Sequence, residues 1–132
     1  MRDPEHAKMM LALARKDLRA VLLMAANDNF DIEIFGFHAQ QAVEKSLKAW
    51  LSFLGIEYPR TRDLNLLIKL LEQNKEILPK QLHILVKLTD FAVQYRYESY
   101  IELISGIDRV EIGQLAADLV HHVEILIEKE GE

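Results

Sequence analysis

Residues 37–51, FHAQQAVEKSLKAWL, have the periodicity of an amphipathic helix but place one polar residue on the apolar side. At about 100° per residue, Gln40 falls between Leu47 and Leu51, and Glu44 lies one turn further along at the edge of the same apolar arc. A buried amide without a hydrogen-bond partner costs roughly 1–3 kcal/mol. We therefore expect a packed helix in which a polar group faces Gln40.

Apolar spacing and capping residues predict an all-α fold, an up-down bundle of about five helices in a single domain over residues 1–132. Start signals at Asp3, Asp31, Asp63 and Pro79, and a stop signal at Gly55, delimit helices over residues 4–26, 31–54, 64–73, 79–95 and 109–129. The first two helices are long and joined by a short polar turn, which predicts an antiparallel hairpin. The sequence contains no strand pattern or internal repeat.

Each helix is expected to bury one stripe of residues. The predicted stripe of the first helix is Leu11, Ala14, Leu18, Val21 and Ala25. That of the fourth helix is Leu82, Leu85, Thr89, Ala92 and Arg96, and Leu88 belongs to a second stripe. That of the last helix is Ile112, Leu115, Leu119, Val123 and Leu126. Small residues on one flank of the second helix allow another helix to approach closely, either within the chain or across a dimer seam: Ala39, Ala42, Ser46 and Ala49.

Composition excludes several classes of function. Sixteen basic against 21 acidic residues give a net charge of −5, which argues against a protein that coats nucleic acid through bulk charge but leaves a local basic groove open. The absence of cysteine excludes disulfide scaffolds, zinc ribbons and thiol catalysis. No signal-peptide core and no apolar run long enough to span a bilayer occur, so we expect a soluble cytoplasmic domain.

Residues with catalytic or metal-binding chemistry do not form a familiar pattern. None of the five histidines has the spacing of a metal-binding helix, and we interpret His121 and His122 as solvated surface residues. The serines lack an activating base in sequence, and the five glycines are scattered, so neither nucleophilic catalysis nor a phosphate-binding glycine loop is indicated. We predict no metal and no cofactor.

The remaining candidate site is a polar ridge on the second helix, which we define as Gln40, Gln41, Glu44, Lys45 and Lys48. Arg96 ends the apolar stripe of the fourth helix and is followed by Tyr97, so it could bond Glu44 and Gln40 across the bundle. Such a contact would either set helix register or form a polar cleft in which Arg96, Tyr97 and Lys48 meet a phosphate or a base. Arg60 and Arg62 could extend that cleft. Periodicity alone does not choose between these alternatives.

Several segments, taken in order, resemble the HEPN family (higher eukaryotes and prokaryotes nucleotide-binding domain). They are residues 14–18 (ARKDL), residues 37–51, Gly55, residues 58–64 (YPRTRDL) and the pair Arg96-Tyr97, so the resemblance covers roughly residues 5 to 127. It implies a bundle of four or five helices that usually dimerises. It also implies a frequent partner, a minimal nucleotidyltransferase protein, in a toxin–antitoxin-like pair. Many members are metal-independent ribonucleases with an arginine followed, after four to six residues, by a histidine.

That ribonuclease signature is absent from this chain. None of the seven arginines has a histidine at the required spacing, and Arg62 stands where relatives often carry histidine. We therefore predict a homodimeric protein that binds nucleotide, RNA or a nucleotidyltransferase partner and is not itself catalytic, with Arg96 holding a phosphate. The alternatives are a ribonuclease toxin that uses Arg96 with Tyr97 or with His38, and a structural dimerisation module.

Overall fold

A computed structural model describes residues 3–27, 29–89 and 108–130, and in this part of the chain all regular structure is helical. The elements are α1 (Pro4–Ala25), α2 (Ile32–Leu54), α3 (Leu64–Gln73), a 3₁₀ helix (Lys80–Leu88) and α4 (Arg109–Glu130). The predicted all-α fold is thus confirmed, and the bounds of the first three helices agree with the prediction to within one residue. None of these helices is long and apolar enough to cross a membrane.

The predicted caps explain why these helices begin and end where they do. The Asp3 carboxylate accepts a hydrogen bond from the His6 amide at 3.1 Å, and Asp63 accepts from the Asn65 amide at 3.0 Å. Gly55 ends α2 in the left-handed conformation, with φ of 77°. The Ile56 amide then donates to the Leu51 carbonyl at 2.9 Å, which closes the last turn of α2.

Helix α2 is the centre of the bundle and contacts each of the other four helices. The Asp3 amide donates to the Ser52 carbonyl at 3.0 Å, so the start of α1 meets the end of α2 and the two form the predicted antiparallel hairpin. The small flank of α2 is fully buried within the chain: Ala39, Ala42, Ser46 and Ala49. Intramolecular packing therefore accounts for these small residues without a dimer seam.

The predicted stripes of three helices differ in part from the buried faces, and on α1 the stripe residues Leu18 and Ala25 are half-buried against the core. Residues 80–88 form a 3₁₀ helix rather than an α-helix, and three residues per turn bring Leu82, Leu85 and Leu88 onto one buried face. On α4, Leu115 and Leu126 are half-buried against the core, because they lie at one border of the arc that packs against α1 and α2. The additional buried residues of that arc are Ala116, Val120 and Ile127.

Two glycines respond differently to a methyl group. A Cβ built on Gly113 would lie 3.4 Å from the Ala25 Cβ, an ordinary contact, so Gly113→Ala should raise the free energy of unfolding by about 0.5–1 kcal/mol through helix propensity. Gly55→Ala should lower it by about 1–2 kcal/mol because Gly55 has a positive φ. Urea denaturation of both variants measures these changes, and equal effects of the two substitutions would contradict the interpretation.

Candidate functional site

The side chain of Gln40 is fully buried and all its polar groups are bonded. Its Nε2 donates to Glu44 Oε1 at 3.0 Å and to the main-chain carbonyl of Arg62 at 3.2 Å. Its Oε1 accepts from Gln41 Nε2 at 2.8 Å. The polar partner expected from the sequence is therefore present, and it consists of two ridge neighbours and one carbonyl of the loop between α2 and α3.

Glu44 continues this network to Lys48 and Tyr58. Lys48 Nζ lies 2.9 Å from Glu44 Oε2, and the side chains of the two residues are only 12% and 9% exposed. The Lys48 ammonium also lies 5.6 Å from the centre of the Tyr58 ring, a cation–π contact. The Tyr58 hydroxyl is 3.3 Å from His6 Nε2, so a continuous polar chain runs from α2 through the loop to α1.

The border of the ridge that faces α1 is bonded to that helix. Lys45 Nζ donates to Asp17 Oδ2 at 2.7 Å, and the other oxygen of Asp17 is 3.0 Å from His38 Nδ1. The Asp17 side chain is 13% exposed, and that of His38 is 35% exposed. Lys45 and Lys48 are thus both paired with acids, and neither is a free cation.

The loop between α2 and α3, which contacts the ridge on the side away from α1, carries two basic residues, Arg60 and Arg62. Gln40 binds the main chain of Arg62, while the side chains of Arg60 and Arg62 are exposed and form no ion pair with the described residues. The Asp63 amide donates to Thr61 Oγ1 at 3.0 Å, which stabilises the turn before α3. The loop that contacts the ridge through the Arg62 carbonyl therefore carries two exposed guanidinium groups without an ion-pair partner in this part of the chain.

Arg96 and Tyr97 lie outside the described residues, so their contact with the ridge stays a prediction. Glu44 could still accept a hydrogen bond from Arg96, because each of its carboxylate oxygens accepts one hydrogen bond in the described part of the chain and can accept a second. Within the same part of the chain, no group of three or more acidic or histidine residues is placed to hold a metal ion.

His122 does not fit the interpretation of solvated surface histidines, whereas His121 is exposed as expected. The His122 ring packs on Trp50 with 5.0 Å between ring centres, and Trp50 Nε1 donates to Glu76 Oε1 at 3.0 Å. Burial lowers the pKa of His122 below 6.5, while the Glu76 carboxylate opposes that shift. The position of His122 at the edge of an apolar stripe was the only signal of this packing in the sequence.

Removing the Gln40 amide tests the polar network. Gln40→Met keeps the length of the side chain but leaves the Arg62 carbonyl and one Glu44 oxygen with a bond fewer, so the free energy of unfolding should fall by about 1–3 kcal/mol. Gln73→Met, at an exposed position of α3, is the matched control and should change it by less than about 0.5 kcal/mol. Chemical denaturation measures both, and a neutral Gln40→Met would contradict the role assigned to the amide.

The lowered pKa of His122 predicts a dependence of stability on pH. Because the unfolded chain binds the His122 proton more readily, this contribution is complete above pH 6.5 and is lost as the pH falls below 6.5 towards the folded pKa. The fall in unfolding free energy between about pH 7.5 and about pH 5 should be smaller in His122→Phe than in the wild type. The neighbouring exposed control, His121→Phe, should keep the wild-type dependence; equal slopes for both variants would refute the assignment.

Comparison with known proteins identifies the family of this chain. A family model described as HEPN domain matches residues 7–131, close to the extent of the resemblance found in the sequence. No curated protein and no solved structure matches the chain. Since the matched region covers nearly the whole chain, this helical protein belongs to the HEPN domain family, a superfamily of nucleotide-binding and ribonuclease-like domains.

Proposed function

We propose that this HEPN protein binds a nucleotide over the polar ridge and acts with a minimal nucleotidyltransferase partner in a toxin–antitoxin-like pair, without cleaving RNA itself. Arg96 holds the phosphate and is oriented by Glu44, and Tyr97 lines the same cleft. The absence of the arginine–histidine signature supports a binding role over a catalytic one.

The observation that carries this proposal is the bond from the Gln40 amide to the Arg62 carbonyl. It holds the loop main chain against the ridge, and the same loop carries Arg60 and Arg62, whose exposed side chains have no ion-pair partner in the described part of the chain. On a protein with a net charge of −5, two such groups make a local basic site that suits a phosphate.

Lys45 and Lys48 are not free cations that could bind a phosphate in this proposal. Each is neutralised by a carboxylate, Asp17 or Glu44, at 2.7 or 2.9 Å, so they contribute little net positive potential to a ligand. We assign them to positioning: Lys48 holds the Glu44 carboxylate that would orient Arg96, and Lys45 holds Asp17.

Dimer formation is part of the proposal. Leu23 and Val110 are 66% and 68% exposed, and Leu22 is 45% exposed. A Cβ on Gly113 would lie 3.7 Å from Leu22, so this end of α1 lies beside the first turns of α4. Exposed apolar residues grouped at one end of two helices are a surface that a second copy could cover.

A second candidate function, RNA cleavage, is favoured by one observation. The Asp17 carboxylate orients the half-exposed His38, as carboxylates orient histidines that act in acid–base catalysis. Arg96 with His38 from the same chain or from a second copy would then be the catalytic pair.

Arg96→Ala distinguishes the proposals, with Arg19→Ala on the exposed face of α1 as the matched control. Loss of a charge-assisted phosphate contact should weaken nucleotide binding by about 10- to 100-fold in isothermal titration, whereas Arg19→Ala should bind as the wild type does. Incubation of the wild type with RNA should yield no cleavage. Cleavage lost in Arg96→Ala would establish the ribonuclease, and a lowered melting temperature with no nucleotide binding in the wild type would establish a structural module.

A further inference from the structure

A small cleft opens at the N-terminal end of the polar ridge. It has a volume of about 280 Å³ and is lined by Glu33, Ile34, Phe37 and His38. This is near the lower limit of ligand pockets, which span roughly 300–1,000 Å³, so it suits one ring system rather than a whole nucleotide. Its walls are mainly apolar: Phe37 is half-buried, and Ile34 is 46% exposed.

The hydrogen bond to Asp17 determines which ring nitrogen of His38 carries the proton. A carboxylate only accepts hydrogen bonds, so the His38 nitrogen 3.0 Å from Asp17 Oδ1 carries the proton. In the neutral imidazole Nε2 is then a bare acceptor, and no described residue bonds to it. The bond from Lys45 at 2.7 Å holds the other oxygen of Asp17, so the carboxylate is fixed at both ends.

With His38 neutral, the two polar side chains that line the cleft offer only acceptors beyond the Asp17 contact: Nε2 of His38 and the carboxylate of Glu33. Such a cleft disfavours a phosphate, which is itself an acceptor and an anion. It favours a flat ring with adjacent N–H donors. Among the nucleobases, guanine presents two neighbouring donors on one edge, its ring N–H and its amino group, whereas uracil presents a single N–H between two carbonyls.

We propose that the cleft of Glu33, Ile34, Phe37 and His38 is a guanine-selective base subsite, with Asp17 as the positioning residue that sets the His38 tautomer. This inference rests on the proposed function, since it names the base of the bound nucleotide. At about 1.5 Å of rise per residue, Gln41 lies about 5 Å and Glu44 about 9 Å along α2 from His38. These separations place the ridge within reach of the phosphate of a nucleotide whose base lies in the cleft.

The test is titration of GMP, IMP and UMP into the wild type, His38→Phe and the exposed-histidine control His83→Phe. The wild type should bind GMP about three- to tenfold more tightly than IMP, which lacks the amino group, and UMP should bind no better than IMP. His38→Phe keeps an aromatic ring but removes the acceptor, so its preference for GMP should shrink by about the same factor. His83→Phe should keep the full preference.

The variant Asp17→Asn tests whether Asp17 sets the His38 tautomer, which a purely structural role of Asp17 would not require. The Lys45 ammonium can only donate, so it would retain the amide oxygen and turn the amide nitrogen towards His38. His38 Nδ1 must then accept, and its proton moves to Nε2. Imidazole nitrogen chemical shifts should report this reversal in a folded protein, together with loss of the GMP preference.

Each outcome bears on a distinct claim. Equal affinities for the three nucleotides, or an undiminished GMP preference in His38→Phe or Asp17→Asn, would overturn the guanine subsite. Nucleotide binding itself would still stand if Arg96→Ala weakened all three ligands. A wild type that binds none of the three would overturn the proposed function and this inference together.

Discussion

The buried amide of Gln40 is the interaction on which the rest of this architecture depends. It lies inside the apolar arc of α2, which contacts each of the other described helices, and it is tolerated there because its donors and its acceptor are all bonded. One of these bonds reaches the Arg62 carbonyl, 22 residues along the chain. A leucine at this position would pack as well, but it would not fix the loop. Gln40 thus buries less apolar surface than a leucine would, but it positions the main chain of the loop.

The charges on α2 are arranged in pairs rather than as a basic surface. Lys48 with Glu44, and Lys45 with Asp17, are largely withdrawn from solvent, and their attraction must offset the cost of desolvating four charged groups. Breaking a buried pair costs more than forming it gains, so the Lys45–Asp17 contact specifies the register between α1 and α2 more than it adds stability. The Lys48–Glu44 pair lies within α2 and holds the Glu44 carboxylate in place. The loop that contacts the ridge adds two basic groups without such a partner in the described part of the chain, Arg60 and Arg62.

Most of the fold follows from local signals, whereas the site does so only in part. Caps such as Asp63 and Gly55 act over a few residues, so the helix ends could be predicted to within one residue. The need for a partner at Gln40 was also predictable, but not its identity, because a main-chain carbonyl such as that of Arg62 has no signature in sequence. An α-helical period does not identify the 3₁₀ helix, because its buried leucines, Leu82, Leu85 and Leu88, recur every third residue. The Asp17–His38 pair joins two helices, and no periodicity within one helix reports it.

These contacts give the ridge opposite hydrogen-bonding character at its two borders. On the α1 side, Asp17 uses the donor of His38 and leaves an acceptor exposed. On the loop side, Gln40 uses the Arg62 carbonyl and leaves the guanidinium donors exposed. A nucleotide has the complementary polarity, with N–H donors on its base and acceptor oxygens on its phosphate. A free phosphate would match only the loop border, and a free base only the α1 border. The arrangement of the donors and acceptors that have no partner in the described part of the chain, more than the number of positive charges, therefore favours a whole nucleotide as the ligand.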